Sequence, residues 1–139
     1  MTPPVVVHID DPGGFDVYVG RELDGVRAAP GFGLQRRRAV VGLDAALSLF
    51  EADWRKRLAG PARRMWLKRL RALDGVRLGC ACPAAGGRSA TRRGLCHAEV
   101  LVKLWVEWFG TVGQRSQWAR RRDAIELQTR EGAESQRRP

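Results

Sequence analysis

The chain is poor in several things that would place it quickly. It has no run of about 18 apolar residues, which excludes a helix that crosses a membrane. Met1-Thr2-Pro3-Pro4 lacks the charged and apolar regions of a signal peptide, so the chain reads as cytoplasmic with no membrane partner. Three cysteines, an odd number, argue against a disulfide framework and for reduced thiols or metal ligands. No internal repeat is visible. Lysine is nearly missing: Lys56, Lys68 and Lys103 are all there is, and arginine carries the rest of the positive charge.

What is present is one domain's worth of chain, 139 residues, with a formal net charge of +10 and a pI near 11.1. That balance favours polyanion partners: nucleic acid, nucleotides or phosphorylated substrates. A GC-rich genome also enriches arginine, alanine and glycine, and charge alone speaks to association rather than to fold.

Val5 to Asp10 is β-branched and reads as a strand. Asp11-Pro12-Gly13-Gly14 is turn chemistry, and Phe15 to Val19 alternates like a second strand, so the two suggest a hairpin. From Gly20 to Arg38 glycine and proline punctuate a loop. Leu43, Leu47, Phe50, Trp54 and Leu58 recur at helical steps and predict a helix over 43–59. Gly60-Pro61 ends it and starts a second, basic helix over 62–73, lined by Trp66, Leu70 and Leu73. Val76 to Cys82 reads as a third strand.

A strongly apolar helix is expected over 96–109, with Leu101, Leu104, Trp105 and Trp108 as its core stripe. Glu99, Lys103 and Glu107 form its polar line at i, i+4 spacing. After a break at Gly110 and Gly113, Gln114 to Arg130 suits a further helix, and the residues from Gly132 suggest disorder. The expected architecture is therefore α/β: a short sheet of at least three strands flanked by helices, Rossmann-like in style, over residues 1–110, with a basic tail over 111–139.

All three cysteines and one of the two histidines fall in one stretch. On a strand, Cys80 and Cys82 project from one face, at the carboxyl end where open α/β sheets bind ligands. Cys96 and His97 open a helix, where unpaired backbone N–H groups and the dipole favour anions and lower a thiol pKa. Three readings remain open. One is a zinc site of Cys80, Cys82, Cys96 and His97, although a single residue between the first two is tighter than the usual spacing. A second is a reactive thiol, Cys96 or Cys80, with His97 as base. The third is small buried side chains and a helix-capping histidine. The loop over 83–95 carries Arg88, Arg92 and Arg93 without an acid and suits a phosphate. His8 reads as a core histidine, Asp10-Asp11 as turn formers, and Trp118 as the one indole suited to base stacking.

These motifs together resemble the family called domain of unknown function 4326, small bacterial and phage proteins. The likeness rests on Asp16-Val17-Tyr18-Val19-Gly20-Arg21, on Leu78-Gly79-Cys80-Ala81-Cys82-Pro83, and on Cys96-His97-Ala98-Glu99-Val100-Leu101. Two features depart from it: Pro30-Gly31-Phe32-Gly33 lacks the family's Asn, and the connection over 86–94 is longer. The resemblance implies that Arg21, Cys80, Cys82, Cys96 and His97 converge in space. The leading expectation is a protein that binds or acts on a phosphate-bearing ligand, a nucleotide or nucleic acid. Cys96, His97 and Cys80 would be its reactive groups, and Arg21, Cys82, Arg92 and Arg93 its ligand contacts. A zinc-stabilised nucleic-acid-binding module and a mobile-element protein-interaction factor are the alternatives.

Overall fold

The computed structural model describes residues 1–20, 28, 30–33, 43–80 and 96–137, without the side chains of 43, 44, 125, 126 and 128–137. Its elements are β1 (Val5–His8), β2 (Val17–Tyr18), α1 (Leu43–Ala59), α2 (Arg63–Arg71), β3 (Arg77–Cys80), α3 (His97–Phe109) and α4 (Val112–Arg137). The fold is α/β, as the alternation of strand and helix patterns implies.

The first two strands do not form the expected hairpin. Both run parallel to β3, in the order β1-β3-β2. β1 is set against β3 from Val5 opposite Arg77 to His8 opposite Cys80, and β2 places Tyr18 opposite Gly79. Two features of the chain favour this arrangement over a hairpin. Val6 and Val7 are both buried, so β1 has two covered faces, the mark of a strand in a parallel sheet rather than a half-solvated ribbon. The turn after β1 is real, with Asp11 N–H donating to the His8 carbonyl at 2.9 Å, but it sends the chain across β3 instead of back along β1. Arg77 holds that crossing: its guanidinium donates to the Gly13 carbonyl at 2.8 Å and its backbone N–H to the Asp16 carboxylate at 2.9 Å. Phe15 then lies against Gly79, where any Cβ would strike the ring.

Asp10 and Asp11 act as turn residues, with Gly13 N–H donating to the Asp11 carboxylate at 3.2 Å. His8 is half-buried and accepts the Asp10 backbone N–H at Nδ1, 3.1 Å away.

α3 is the central element, touching α1, α2, α4 and β1. Leu101, Leu104 and Trp105 are fully buried, each side chain contributing about 1.5–3 kcal/mol by leaving water. Trp108 departs from the expected core stripe: it is 40% exposed, and Arg63 lies 5.2 Å over its ring. The helix turns this ring out because Trp105 and Phe109 already fill the inner face. The polar line of α3 also works differently from an i, i+4 ladder. Lys103 pairs with Glu51 of α1 at 2.7 Å and Glu107 with Arg55 of α1 at 3.0 Å, so these charges tie two helices together.

In α1, Phe50, Trp54 and Leu58 are buried as their spacing predicts, with Ala46 added to the face. Of the long loop, Gly31 and Phe32 are part of the aromatic core. Phe32 stacks on Trp54 at 5.7 Å, and the Trp54 indole N–H donates to the Gly31 carbonyl at 2.8 Å. Gly31 has φ +88, and a Cβ there would run into Trp66, so the position needs glycine twice over.

Thr111 and Gln114 form a capping box at the start of α4: Gln114 N–H donates to Thr111 Oγ1 at 3.1 Å, and Thr111 N–H to Gln114 Oε1 at 2.9 Å. The helix continues to Arg137, past Gly132, where regular structure was expected to have ended. Trp118 packs against the core and bonds to the Glu99 carboxylate, which leaves its ring committed rather than presented for stacking on a base.

Glu99 is 3% exposed and accepts from Arg121 at 2.6 Å. Burial raises its carboxyl above the ordinary 4.5, and the Arg121 charge with the Trp118 indole offsets part of the rise. A folded-state pKa above the unfolded value means that the folded protein holds this proton more tightly. The group's contribution is fully present below about 4.5 and is lost as pH rises through the folded value. Arg121 limits that loss by stabilising the ionised form. Arg121→Ala is therefore expected to cost about 2 kcal/mol at pH 7, less than a fully buried pair because Arg121 is 39% exposed. The cost should shrink near pH 4, where a protonated Glu99 no longer needs the cation. Urea denaturation at both pH values checks this, and an equal loss at the two would exclude the ion pair as its cause.

Candidate metal centre

The carboxyl ends of the strands and the start of α3 meet at one buried point. β3 ends on Cys80, whose carbonyl accepts the Ile9 N–H at 3.2 Å and whose side chain is 2% exposed. α3 begins just after Cys96, the N-cap residue, which has extended backbone angles (φ −62, ψ 150) and no side-chain capping bond. Its carbonyl accepts the Glu99 N–H at 2.9 Å and closes the first helical turn. The Cys96 thiol is therefore held inward, at 0% exposure, instead of being spent on the helix end.

His97 is the first residue of α3 and is 4% exposed. Its two ring nitrogens have separate tasks. Nε2 hydrogen-bonds the Val19 carbonyl, and since a carbonyl only accepts, Nε2 carries the proton and donates. In the neutral ring Nδ1 then carries the lone pair, and it faces the Cys96 sulfur at 3.8 Å. Phe50 sets its ring against the imidazole in an edge contact at 5.3 Å. Val19 is itself fixed, because its own N–H donates to the Gly79 carbonyl at 2.9 Å. The residue following β2 thus locks the histidine's tautomer and ties α3 to the sheet.

The donor atoms of Cys80, Cys96 and His97 lie within 4.8 Å of one another. Zinc–sulfur and zinc–nitrogen bonds of about 2.3 and 2.0–2.1 Å, at a tetrahedral angle, put two such ligands about 3.6 Å apart. The 3.8 Å between Cys96 and His97 is close to that separation. A protonated Nε2 on a backbone carbonyl is also how metal-binding histidines are usually oriented. The chemistry offered is soft and buried: two thiols and one imidazole, at the positive end of a helix dipole that favours thiolates.

Cys80, Cys96 and His97, three of the residues expected to form the site, are therefore brought together. Cys82, Arg21, Arg92 and Arg93 lie outside the described residues, as does the basic loop with Arg88. Two participants were not foreseen. Val19 contributes only its carbonyl, which no side-chain pattern signals. Tyr18 is buried, and its hydroxyl is raised above the ordinary value of 10.0 by burial and then by the charge of Cys80. Tyr18 sits in the Asp16–Gly20 motif, but its nearness to Cys80 follows from the β2–β3 pairing and could not be read from a supposed β1–β2 hairpin. Its ring folds over Gly20, where a Cβ would meet the hydroxyl.

No helix among the described residues is long and apolar enough to cross a membrane. No family model, curated protein or solved structure matches the chain, so function has to be argued from the chemistry of this cluster and from the distribution of charge.

Proposed function

We propose that Cys80, Cys96 and His97, with Cys82 as the fourth ligand, hold one zinc ion, and that this ion stabilises a small basic module that binds nucleic acid. One observation carries the zinc half: three soft donors from β3 and the start of α3 lie within 4.8 Å, buried, with the histidine already turned by Val19. Three thiolates and an imidazole are a known structural zinc set. Cys82 stands two residues beyond Cys80, closer than the usual ligand spacing, and its role is part of the proposal. Because the ligands come together only on folding, metal affinity adds directly to the stability of the folded state. Reduced thiols of this kind suit the cytoplasm.

The nucleic-acid half rests on the net charge of +10. Arg21, Arg92 and Arg93 are proposed as phosphate contacts near the centre. The resemblance of the sequence motifs to domain of unknown function 4326 implies the same convergence of Arg21 with the cysteines and His97.

The test is zinc affinity in single variants. Cys80→Ser, Cys96→Ser, His97→Ala and Cys82→Ser should each weaken binding by at least about 100-fold, since even partners one shell out cost 10- to 100-fold. Unchanged affinity in the first three would end the zinc reading. Unchanged affinity in Cys82→Ser alone would leave an open coordination position, as in catalytic sites.

A second reading is favoured by the contact between Cys96 and Nδ1 of His97 at a helix start: a thiolate that acts on a phosphate-bearing ligand. Alkylation of metal-free protein against pH separates the two. A Cys96 that titrates well below about 8.5, and that inorganic phosphate protects, would support the reactive thiol. A Cys96 that titrates like an ordinary cysteine would remove it.

A further inference from the structure

The cations of this protein divide into those the fold uses and those it does not. Arg55, Lys103 and Arg121 are tied to carboxylates. Arg57 and Arg69 lie over Trp66 at 4.5 and 5.2 Å, and Arg63 lies over Trp108. Arg64, Lys68 and Arg71 are left on α2, a helix with no acidic residue in its nine. All three are exposed, and among the described residues their side chains make no ion pair, hydrogen bond or ring contact.

Their spacing of four and three puts them on one stripe of the helix, each about 5–6 Å from the next. That stripe borders a groove of about 340 Å³ lined by Arg64, Leu67, Lys68, Arg71 and Phe109. Its floor, Leu67 and the Phe109 ring, is apolar and half-buried, and its edge is cationic. Lys68 and Arg71 also suit the negative end of the α2 dipole, which explains why basic residues are tolerated there. The dipole does not explain an apolar, aromatic floor beneath them. An edge of cations that follows a backbone, over a ring on which a base stacks, is the usual construction of a single-strand binding groove.

We propose that the groove between α2 and the last turn of α3 binds single-stranded nucleic acid, with Arg64, Lys68 and Arg71 on phosphates and Phe109 beneath a base. This deepens the nucleic-acid half of the reading above and is independent of zinc. It adds a second contact surface to the one proposed at Arg21, Arg92 and Arg93, and it does not use Trp118, the indole that the sequence suits to base stacking.

The experiment is fluorescence anisotropy of the full chain, purified under reducing conditions, with a labelled 12-nucleotide oligothymidine over a range of salt. A 12-base-pair duplex and heparin serve as comparison polyanions. The variant Arg64→Ala/Lys68→Ala/Arg71→Ala should lower affinity at low salt by about 10- to 100-fold. It should also flatten the log–log salt dependence by about two units, from three contacts at about 0.7 each. Phe109→Leu keeps an apolar side chain against Trp105, so its melting temperature reports whether it folds. It should weaken oligothymidine binding by at least about 5-fold. Arg120→Ala, an exposed cation on α4, should change binding less than 3-fold.

Wild-type binding with an unaffected triple variant would overturn this placement and leave the nucleic-acid reading standing. Tighter binding of the duplex would overturn the single-strand assignment. Equal binding of heparin, with no effect of Phe109→Leu, would reduce the surface to a general polyanion patch and overturn the proposal. No binding of either nucleic acid at low salt would overturn both readings.

Discussion

Removing the proposed zinc is expected to lower the melting temperature by about 10–20 °C. An ion that binds only the folded state adds about 4 kcal/mol when free metal is a thousand times its dissociation constant. For a chain of this length, 1 kcal/mol moves the midpoint by about 3–5 °C. The structural reason is that the centre joins the end of β3 to the start of α3. Cys80 ends the middle strand, Cys96 and His97 begin the central helix, and Val19 links them to β2 through one carbonyl. Without the ion, two thiols and an imidazole are still buried together, and the helix dipole alone does not offset two buried thiolates, so the thiols protonate or separate. Cys96→Ser should melt at the lower temperature with or without chelator. A midpoint unmoved by chelation in wild-type protein would mean that the cluster is packing alone.

Trp105→Ala is expected to cost about 3–5 kcal/mol, with metal bound or removed. Trp105 is fully buried in the middle of α3, the helix that packs on three others, against Phe109 at 6.0 Å, and its removal leaves a cavity in the core. Its effect should add to that of chelation, because it acts through core volume and not through the centre. Trp105→Phe should cost less than about 1.5 kcal/mol. The indole N–H has no acceptor among the described residues, so the smaller ring gives up area but removes an unsatisfied donor. Denaturant unfolding of both variants, with and without zinc, checks the pair. A Trp105→Phe variant as unstable as Trp105→Ala would show that the indole nitrogen has a partner that matters.

Much of this fold is legible in the helices. Phe50, Trp54 and Leu58 on α1, and Leu101, Leu104 and Trp105 on α3, are buried as their spacing requires, because a 3.6-residue period has one solution. The strands were harder. Asp11 to Gly14 has the residues of a hairpin turn, and nothing local says that the chain after it crosses β3. The evidence for that lies in residues far apart in sequence: Arg77 bonding to Gly13 and Asp16, and Phe15 against Gly79. Charges misled in a similar way. Glu99, Lys103 and Glu107 have ideal spacing for pairing along one helix, yet Lys103 and Glu107 pair with α1 and Glu99 with α4, since spacing does not show what lies opposite.

The site was legible as a set of donor residues and illegible as a geometry. Cysteine and histidine types pointed to Cys80, Cys96 and His97, whereas the tautomer of His97 depends on a backbone carbonyl at Val19. The capping box of Thr111 and Gln114 was visible in the sequence as a Thr three residues before a Gln, and it marks the start of α4 better than the neighbouring glycines.

The most direct test is elemental analysis of the full chain, purified under reducing conditions and dialysed against buffer without chelator. The account predicts one zinc per chain, falling to well under half in Cys96→Ser. Wild-type protein that folds, melts cooperatively and carries no metal would contradict it.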